Sequence, residues 1–233
     1  MNAITRGGIE FVAVLFGLSI SLWIDNTAKE NELKIQNKKI LNRLYHNLLA
    51  DSTDGTWNFK AYERGIRGSE NVIKWCDNNP TFSSIDDSIE KDISAMMIAT
   101  IFVHNEEEYI ALKNSGRTDL ITNEELVIKL HDYYTRIGFI KTLDAFQNDF
   151  VRTKIIPFLS DYSDENLFIE GTESSVVYEN FPKINLYKMP EVKKMRFYAS
   201  NMLTWQRYTK SWYKGQIRRV TEIRKLLREE LNL

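Results

Sequence analysis

Apolar residues are arranged along this chain in two different ways. In "RGGIEFVAVLFGLSISLWIDN", residues 6 to 26, every position from Phe11 to Ile24 is apolar or small, so the run has no polar face. Further on, the apolar residues withdraw to stripes: Leu33, Ile40, Leu44 and Leu48, then Trp57, Tyr62, Ile66, Ile73 and Trp75. Later come Leu126, Leu130, Tyr133, Ile137 and Ile140, at alternating spacings of four and three. Stripes of that spacing, flanked by lysine and glutamate, are the packing seams of amphipathic helices. A run without a polar face needs an apolar solvent all round.

The run fits a bilayer once its flanking charges are counted. Phe11 to Ile24 alone rises only ~21 Å, short of a hydrocarbon layer about 30 Å thick. From Arg6 to Asp25 the rise is ~28 Å, which puts these two charges at opposite interfaces and Glu10 about one turn inside. Residues 1–25 are therefore predicted to be a transmembrane signal anchor. A cleaved signal peptide and a buried soluble helix are the competing interpretations. The one small-x-small candidate, Ser19-Ile-Ser21, lies inside the apolar run with no polar segment before it, which disfavours cleavage.

Glu10, Ala13, Gly17 and Ser21 follow one another at spacings of three, four and four and so share a helical face. Small residues let a second transmembrane helix approach, and a carboxyl group on the same face can hydrogen-bond there. The expected surroundings are thus the lipid bilayer and either a membrane protein partner or a second copy. The alternative is that Glu10 snorkels to the headgroups and the small residues are incidental.

The rest of the chain predicts an all-α fold in which the anchor continues into an elongated antiparallel helical bundle, residues 26–233. No breaker follows Asp25, although "DSTDGTW", residues 51 to 57, is weakly helical and a place for a kink. "DNNPTFSS" ends the element. A second helix is expected from Ser84 to about Ala99, and a short one from Asn105, before "EEE", to Gly116. Thr122 with Glu125 three residues on reads as a capping box for a helix opening at Asn123 and reaching about Pro157. Residues 160–188 are irregular, with "SSVVYENF" offering one short strand. A last helix is expected from near Pro190 to Leu231, with Met195, Tyr198, Met202, Trp205 and Trp212 as its seam.

Two stretches carry a resemblance: the anchor "GGIEFVAVLFGLSISLWIDN" and, downstream, "EEEYIALKNSGRTDLITNEELVIKLHDYY". Together they resemble a bacterial family of single-pass membrane proteins of unknown function, whose anchor has the form E-x-x-x-V-x-x-G-I-x-x-A. The matching residues are Glu10, Val14 and Gly17, then Tyr109, Leu112, Ser115, Gly116, Leu120, Ile121, Asn123, Leu126, Leu130, Tyr133 and Tyr134. Ser21 stands at a position that is commonly alanine in the family, and the basic stretch that often precedes the anchor is nearly absent. The resemblance implies a bacterial inner-membrane protein with its domain in the periplasm. It implies no enzyme activity. The positive-inside rule points the other way, because Arg6 faces Lys29, Lys34, Lys38, Lys39 and Arg43 across the anchor, and the side stays open.

Charge adds little at the level of the whole chain. With 31 basic and 32 acidic side chains there is no global attraction to nucleic acid. One region departs from that balance: around Trp205, Tyr208 and Trp212 and beyond lie Arg207, Lys210, Lys214, Arg218, Arg219, Arg224, Lys225 and Arg228. Arg218, Arg219, Arg224 and Lys225 are candidates for a lipid or partner surface. The plainer alternative is the solvated back of a seam, paired with glutamates elsewhere in the bundle.

Catalytic signatures do not emerge. Cys76 is the only cysteine, so no intrachain disulfide or cysteine-based zinc site is available, and a buried thiol is expected. His46, His104 and His131 fall in separate elements without metal-ligand spacing. Phosphate-loop and nucleophile-elbow motifs are missing. No catalytic, cofactor-binding or metal residue is therefore assigned and no cofactor is expected. The functional expectation is a membrane-tethered scaffold or sensor acting through protein contacts. An enzyme assembled from unlinked residues is the alternative, with His104 and Glu107 as its nearest approach to a site.

Overall fold

The computed structural model describes residues 3–79, 87–116, 118, 121–161 and 192–232, and among them all regular structure is helical. The expected cap at Ser84, the helix start near Pro190 and the short strand lie outside the described residues, as does the irregular segment from residue 162 on.

The first helix, α1 (Ala3–Asn78), is 76 residues long and passes through "DSTDGTW" without a break. At the usual helical rise it is roughly 110 Å long. Its first part stands free: from Phe11 to Ile35 every residue is exposed, and burial begins at Asn37. From there the buried positions recur at alternating intervals of four and three: Asn37, Leu41, Leu44, Leu48, Asp51, Gly55, Asn58, Tyr62, Gly65, Ser69, Val72 and Cys76. That spacing, about 3.5 residues on average, is the spacing of a packing seam between long helices. Leu33 lies ahead of the packed region and Trp57 lies off the stripe, and both are exposed where the apolar pattern placed them in the seam.

The neighbour is α6 (Val192–Leu231), 40 residues long. It runs antiparallel to α1, because Arg196 pairs with Asp77, Arg207 with Glu70, Lys210 with Glu63 and Arg224 with Tyr45. The third long helix, α4 (Glu124–Phe150), is antiparallel to α6 through Lys129–Glu222 and Phe146–Trp205, and so parallel to α1, where Tyr133 meets Asp51 and Asp144 meets Tyr62. Leu126, Leu130, Tyr133, Ile137 and Ile140 are its buried stripe, as the sequence predicts.

The shorter elements follow a different logic from the expected one at three places. Expected from Ser84 to Ala99, α2 (Asp87–Met96) ends early; Gln206 Nε2 donates to the Met96 and Ile98 carbonyls at 2.8 and 3.1 Å, drawing the chain out of the helix. The next helix, α3 (Glu107–Asn114), starts after Asn105, whose backbone N–H and side-chain amide both go to Asp51 instead of capping. It does end at Gly116, whose φ of 65° favours glycine.

At the start of α4 the cap is Asn123, whose side chain accepts from the Leu126 N–H at 3.1 Å. Thr122 donates to Glu230 and forms no box. Beyond Phe150 a π-turn (Val151–Ile155) leads into α5 (Ile156–Ser160). Pro157 has no N–H to give to the preceding turn, and a π-turn is one way for a chain to pass such a residue. The predicted end near Pro157 therefore becomes an irregularity, and the element runs on to Ser160.

The core falls into two apolar ends. One is built on Leu44, Leu48, Leu126, Leu130, Ile137, Ile223 and Leu227. The other holds Val72, Ile93, Met96, Met97, Ile155, Leu159, Met195 and Met202. Cys76 is buried in the second, and burial pushes its thiol up to about 11. Such a thiol is no nucleophile at neutral pH.

Candidate functional site

Between the two apolar ends lies a polar layer that the sequence did not announce. On α6 the expected seam residues Trp205 and Trp212 are only half-buried, and the seam is held by Gln206, Thr209, Tyr213 and Gln216. Facing them are Asp51, Asn58, Tyr62 and Ser69 of α1 and Asp144 and Gln147 of α4, all buried. Burial of a polar group is tolerable where it finds a hydrogen-bond partner. Here the partners come from distant segments: Ser69 Oγ donates to Gln206 Oε1 at 2.8 Å and Gln147 Nε2 to Thr209 Oγ1 at 2.6 Å.

Asp144 is the centre of this layer. It is 2% exposed; Tyr62 donates to its Oδ1 at 3.0 Å, and Tyr213 and the Phe102 N–H donate to its Oδ2 at 2.6 and 3.0 Å. Burial raises its carboxyl to about 6, against the opposing pull of those donors. The 1%-exposed Asp51 receives Tyr133 at 2.8 Å and both Asn105 donors at 3.0 Å. Half-buried Asp54 receives Asn58 Nδ2 at 2.9 Å and the Val103 N–H at 3.0 Å. Desolvation raises both of these carboxyls as well, and their hydrogen bonds oppose it. Among the described residues no lysine or arginine is ion-paired with any of the three.

The three carboxylates converge on one non-helical segment, residues 100–105, which crosses the bundle between α2 and α3. Side chains take part of its backbone: besides the three captured amides, Asn148 donates to the Thr100 carbonyl at 2.7 Å and Tyr134 to the Asn105 carbonyl at 3.2 Å. Alternate side chains go in and out, Phe102 buried, Ile101 and Val103 70% and 65% exposed. Chemically, the carboxylates of the layer are filled acceptors. It holds a chain segment and presents no open nucleophile.

The residues singled out from sequence are scattered relative to this layer. His104 pairs with Glu106 at 3.1 Å and lies over Phe102, while Glu108 goes to Arg43; the anticipated convergence with Glu107 does not form. No group of three or more metal-ligating side chains occurs among the described residues. His131 is bonded to Tyr109 and Asp132 to Arg136 and Arg219. A small, mostly apolar hollow of about 140 Å³ lies beside them, lined by Tyr109, Leu112, Ile121, Val127, Leu130 and His131.

Of the basic candidates, Arg219 is turned to Asp132 at 3.1 Å and Arg224 lies on the Tyr45 ring at 4.8 Å. Arg218 and Lys225 remain mostly exposed, with loose contacts of 3.8 and 3.9 Å to Glu222 and Glu229. In the anchor, Ala13, Gly17 and Ser21 are exposed, and nothing lies within 4 Å of a Cβ placed on Gly17. The Glu10 side chain lies outside the described residues.

The motif residues downstream are better gathered. Tyr109 and Tyr134 stack at 4.2 Å, Tyr134 and Tyr133 reach Asn105 and Asp51, and Leu112, Leu126 and Leu130 bury the α3–α4 junction. They brace one end of the crossing segment. Comparison with known proteins adds nothing to this: no family model, no curated protein and no solved structure matches the chain.

Proposed function

We propose that the protein is a membrane-tethered helical scaffold or sensor that works through protein contacts. One observation carries the reading: the most apolar stretch of the chain is the least buried. Ten large apolar side chains between Phe11 and Ile24 are 47–68% exposed on a helix long and apolar enough to cross a membrane. Left in water, such a surface is a strong drive to association. In a bilayer it is solvated.

On this reading residues 1–25 are an uncleaved, single-pass anchor in a bacterial inner membrane. The face of Glu10, Ala13, Gly17 and Ser21 then meets another transmembrane helix, from a second copy or from a membrane protein partner. The body stands off the bilayer on the exposed helical neck from Asp25 to Gln36, ~18 Å at the usual rise. A further contact surface is available on α4 and α6, where Phe139, Phe146, Trp205, Tyr208 and Trp212 form a continuous row of rings with centroids 4.5 to 6.4 Å apart. Phe139, Phe146 and Tyr208 in that row are exposed. The family resemblance favours the periplasmic side and the lysines of the neck the cytoplasmic side, and the side is left to experiment.

Membrane fractionation tests the tether. A carboxy-terminally tagged full-length chain is expected to stay in alkali-washed membranes, and deletion of residues 1–25 to release it. Extraction of the intact chain by alkali overturns integral insertion, and a mass loss matching cleavage near Ser21 overturns the retained anchor. Protease protection of the tag in intact and permeabilised cells assigns the side. Crosslinking in native membranes identifies the partner.

A further inference from the structure

We propose that residues 100–105 form a proton-responsive clasp: Asp51, Asp54 and Asp144 hold its backbone amides, and proton uptake at Asp144 tightens that hold. The geometry carries the proposal. Three buried or half-buried carboxylates, contributed by two helices, take the N–H groups of Phe102, Val103 and Asn105, each at 3.0 Å. The segment has no helical or strand ladder of its own, so opening it exposes these carboxylates to water.

The groups facing each carboxylate are few. Around Asp144 are Tyr62 of α1, Tyr213 of α6 and, at longer range, Asp54, whose charge adds to the cost of ionising it. Asp51 faces Tyr133 of α4, Asn105 and the His104 ring, and Asp54 faces Asn58 and Asp51. Tyrosine and asparagine donate hydrogen bonds but carry no positive charge. Of the facing groups only His104 can become cationic, and it already serves Glu106.

The network has a route for one extra proton. A proton taken from solvent onto Asp144 Oδ1 turns that oxygen into a donor toward Tyr62 Oη. The Tyr62 hydroxyl hydrogen must then find another acceptor. Gln147 lies beside it, Nε2 to Oη 3.3 Å, and Gln147 Oε1 is buried without a hydrogen-bond partner. Turning the Gln147 amide over brings Oε1 to face Tyr62 and Thr209, both of which can donate to it. Asp144 Oδ2 keeps Tyr213 and Phe102 throughout. No bond to the clasp is lost.

The direction of the effect follows from linkage. In the closed form the Asp144 carboxyl is raised to about 6, whereas in an open, solvated form it returns to the ordinary carboxylate value of about 4. The closed form therefore binds the proton more tightly. Closure is weakest above pH 6, strengthens as pH falls through 6, and reaches its full gain below the open-form value. Asp51 and Asp54, also raised, add in the same sense.

Hydrogen exchange on the full chain in lipid nanodiscs tests this at the peptide covering residues 100–105, with rates corrected for the intrinsic pH dependence of exchange. Protection is expected to rise by roughly 25-fold between pH 7.5 and pH 4.5, the part of a two-unit pKa difference that is gained by the lower pH. Asp144→Asn is expected to show high protection already at pH 7.5 and to lose most of the pH dependence. Equal protection of the unmodified chain at both pH values overturns the proposal, as does an Asp144→Asn chain that keeps the full dependence. Should that variant misfold, aspartate-selective carbon NMR of the unmodified chain decides. One carboxyl titrating near 6 is expected, and a set that all titrates near the ordinary value of about 4 rejects the clasp.

Discussion

Between Phe11 and Ile24, α1 turns ten large apolar side chains outward, whereas between Asn37 and Ser69 the same helix turns two asparagines, an aspartate, three glycines and a serine inward. The contrast lies in what each half has for a neighbour. The first half has no protein against it among the described residues, and on the proposed reading its sorting is by lipid. The body half faces α4 and α6, and residues are buried there according to whether those helices supply a shape or a hydrogen bond to match. Asp51 is interior because Tyr133 and Asn105 reach it. Gly55 is interior because Phe102, Tyr213 and Ile217 fill the space beside it.

A matched pair of leucine truncations gives this comparison its sharpest test. Leu48 is fully buried in the body and Leu18 is 60% exposed in the anchor. Leu48→Ala is expected to cost about 2–5 kcal/mol of folding stability, the usual range for emptying a packed leucine site. Leu18→Ala is expected to leave the body's unfolding midpoint unchanged. Urea unfolding of the two full-length variants in mild detergent measures both, and comparable losses would mean that the anchor packs on the body after all.

A glycine repeats the test at a smaller scale. A Cβ on Gly68 would lie 2.6 Å from the Ala95 Cβ and 2.7 Å from both the Asp92 carbonyl oxygen and the Met96 nitrogen, so backbone would have to move. Gly68→Ala should therefore cost about 1–3 kcal/mol by overpacking, and α2 should lose hydrogen-exchange protection before the rest of the bundle does. An Ala variant as stable as the parent would show that α1 and α2 do not meet so closely.

The same contrast explains what was legible in the sequence. The helix long and apolar enough to cross a membrane could be read because length and apolarity are all that it requires. The α4 stripe could be read because Leu126 to Ile140 are apolar at helical spacing. The stretch from Asp51 to Trp57 reads as weakly helical because Asp51 and Gly55 are poor helix formers in isolation, yet the helix runs through it, and both residues continue the four-and-three spacing of Leu44 and Leu48 without a slip. That continuity was the available signal. On α6 the largest apolar residues, Trp205 and Trp212, drew the seam toward themselves. Gln206, Thr209, Tyr213 and Gln216 occupy it because their partners lie on α1, on α4 and at the end of α2. The clasp was invisible for the same reason: its carboxylates sit on α1 and α4, while the amides they hold belong to a segment with no pattern of its own.

The smallest expected effect concerns the anchor's small-residue face. Gly17 has nothing within 4 Å of a substituted Cβ in the single chain, so Gly17→Leu should leave folding untouched. Whatever it changes must come from another helix. If a partner packs on the face of Glu10, Ala13, Gly17 and Ser21, the added bulk separates two backbones that small residues had let approach. The loss is expected to be on the order of 1 kcal/mol, as for other contacts between membrane helices. Leu18→Ile changes shape off that face and serves as the control. Glu10→Gln should keep most of the association, since the amide still hydrogen-bonds, and Glu10→Leu should weaken it. Crosslinking yield in native membranes measures all four. Equal yields would leave the small residues incidental and place Glu10 at the headgroups, and the outward face of α1 would then be sorted by lipid alone.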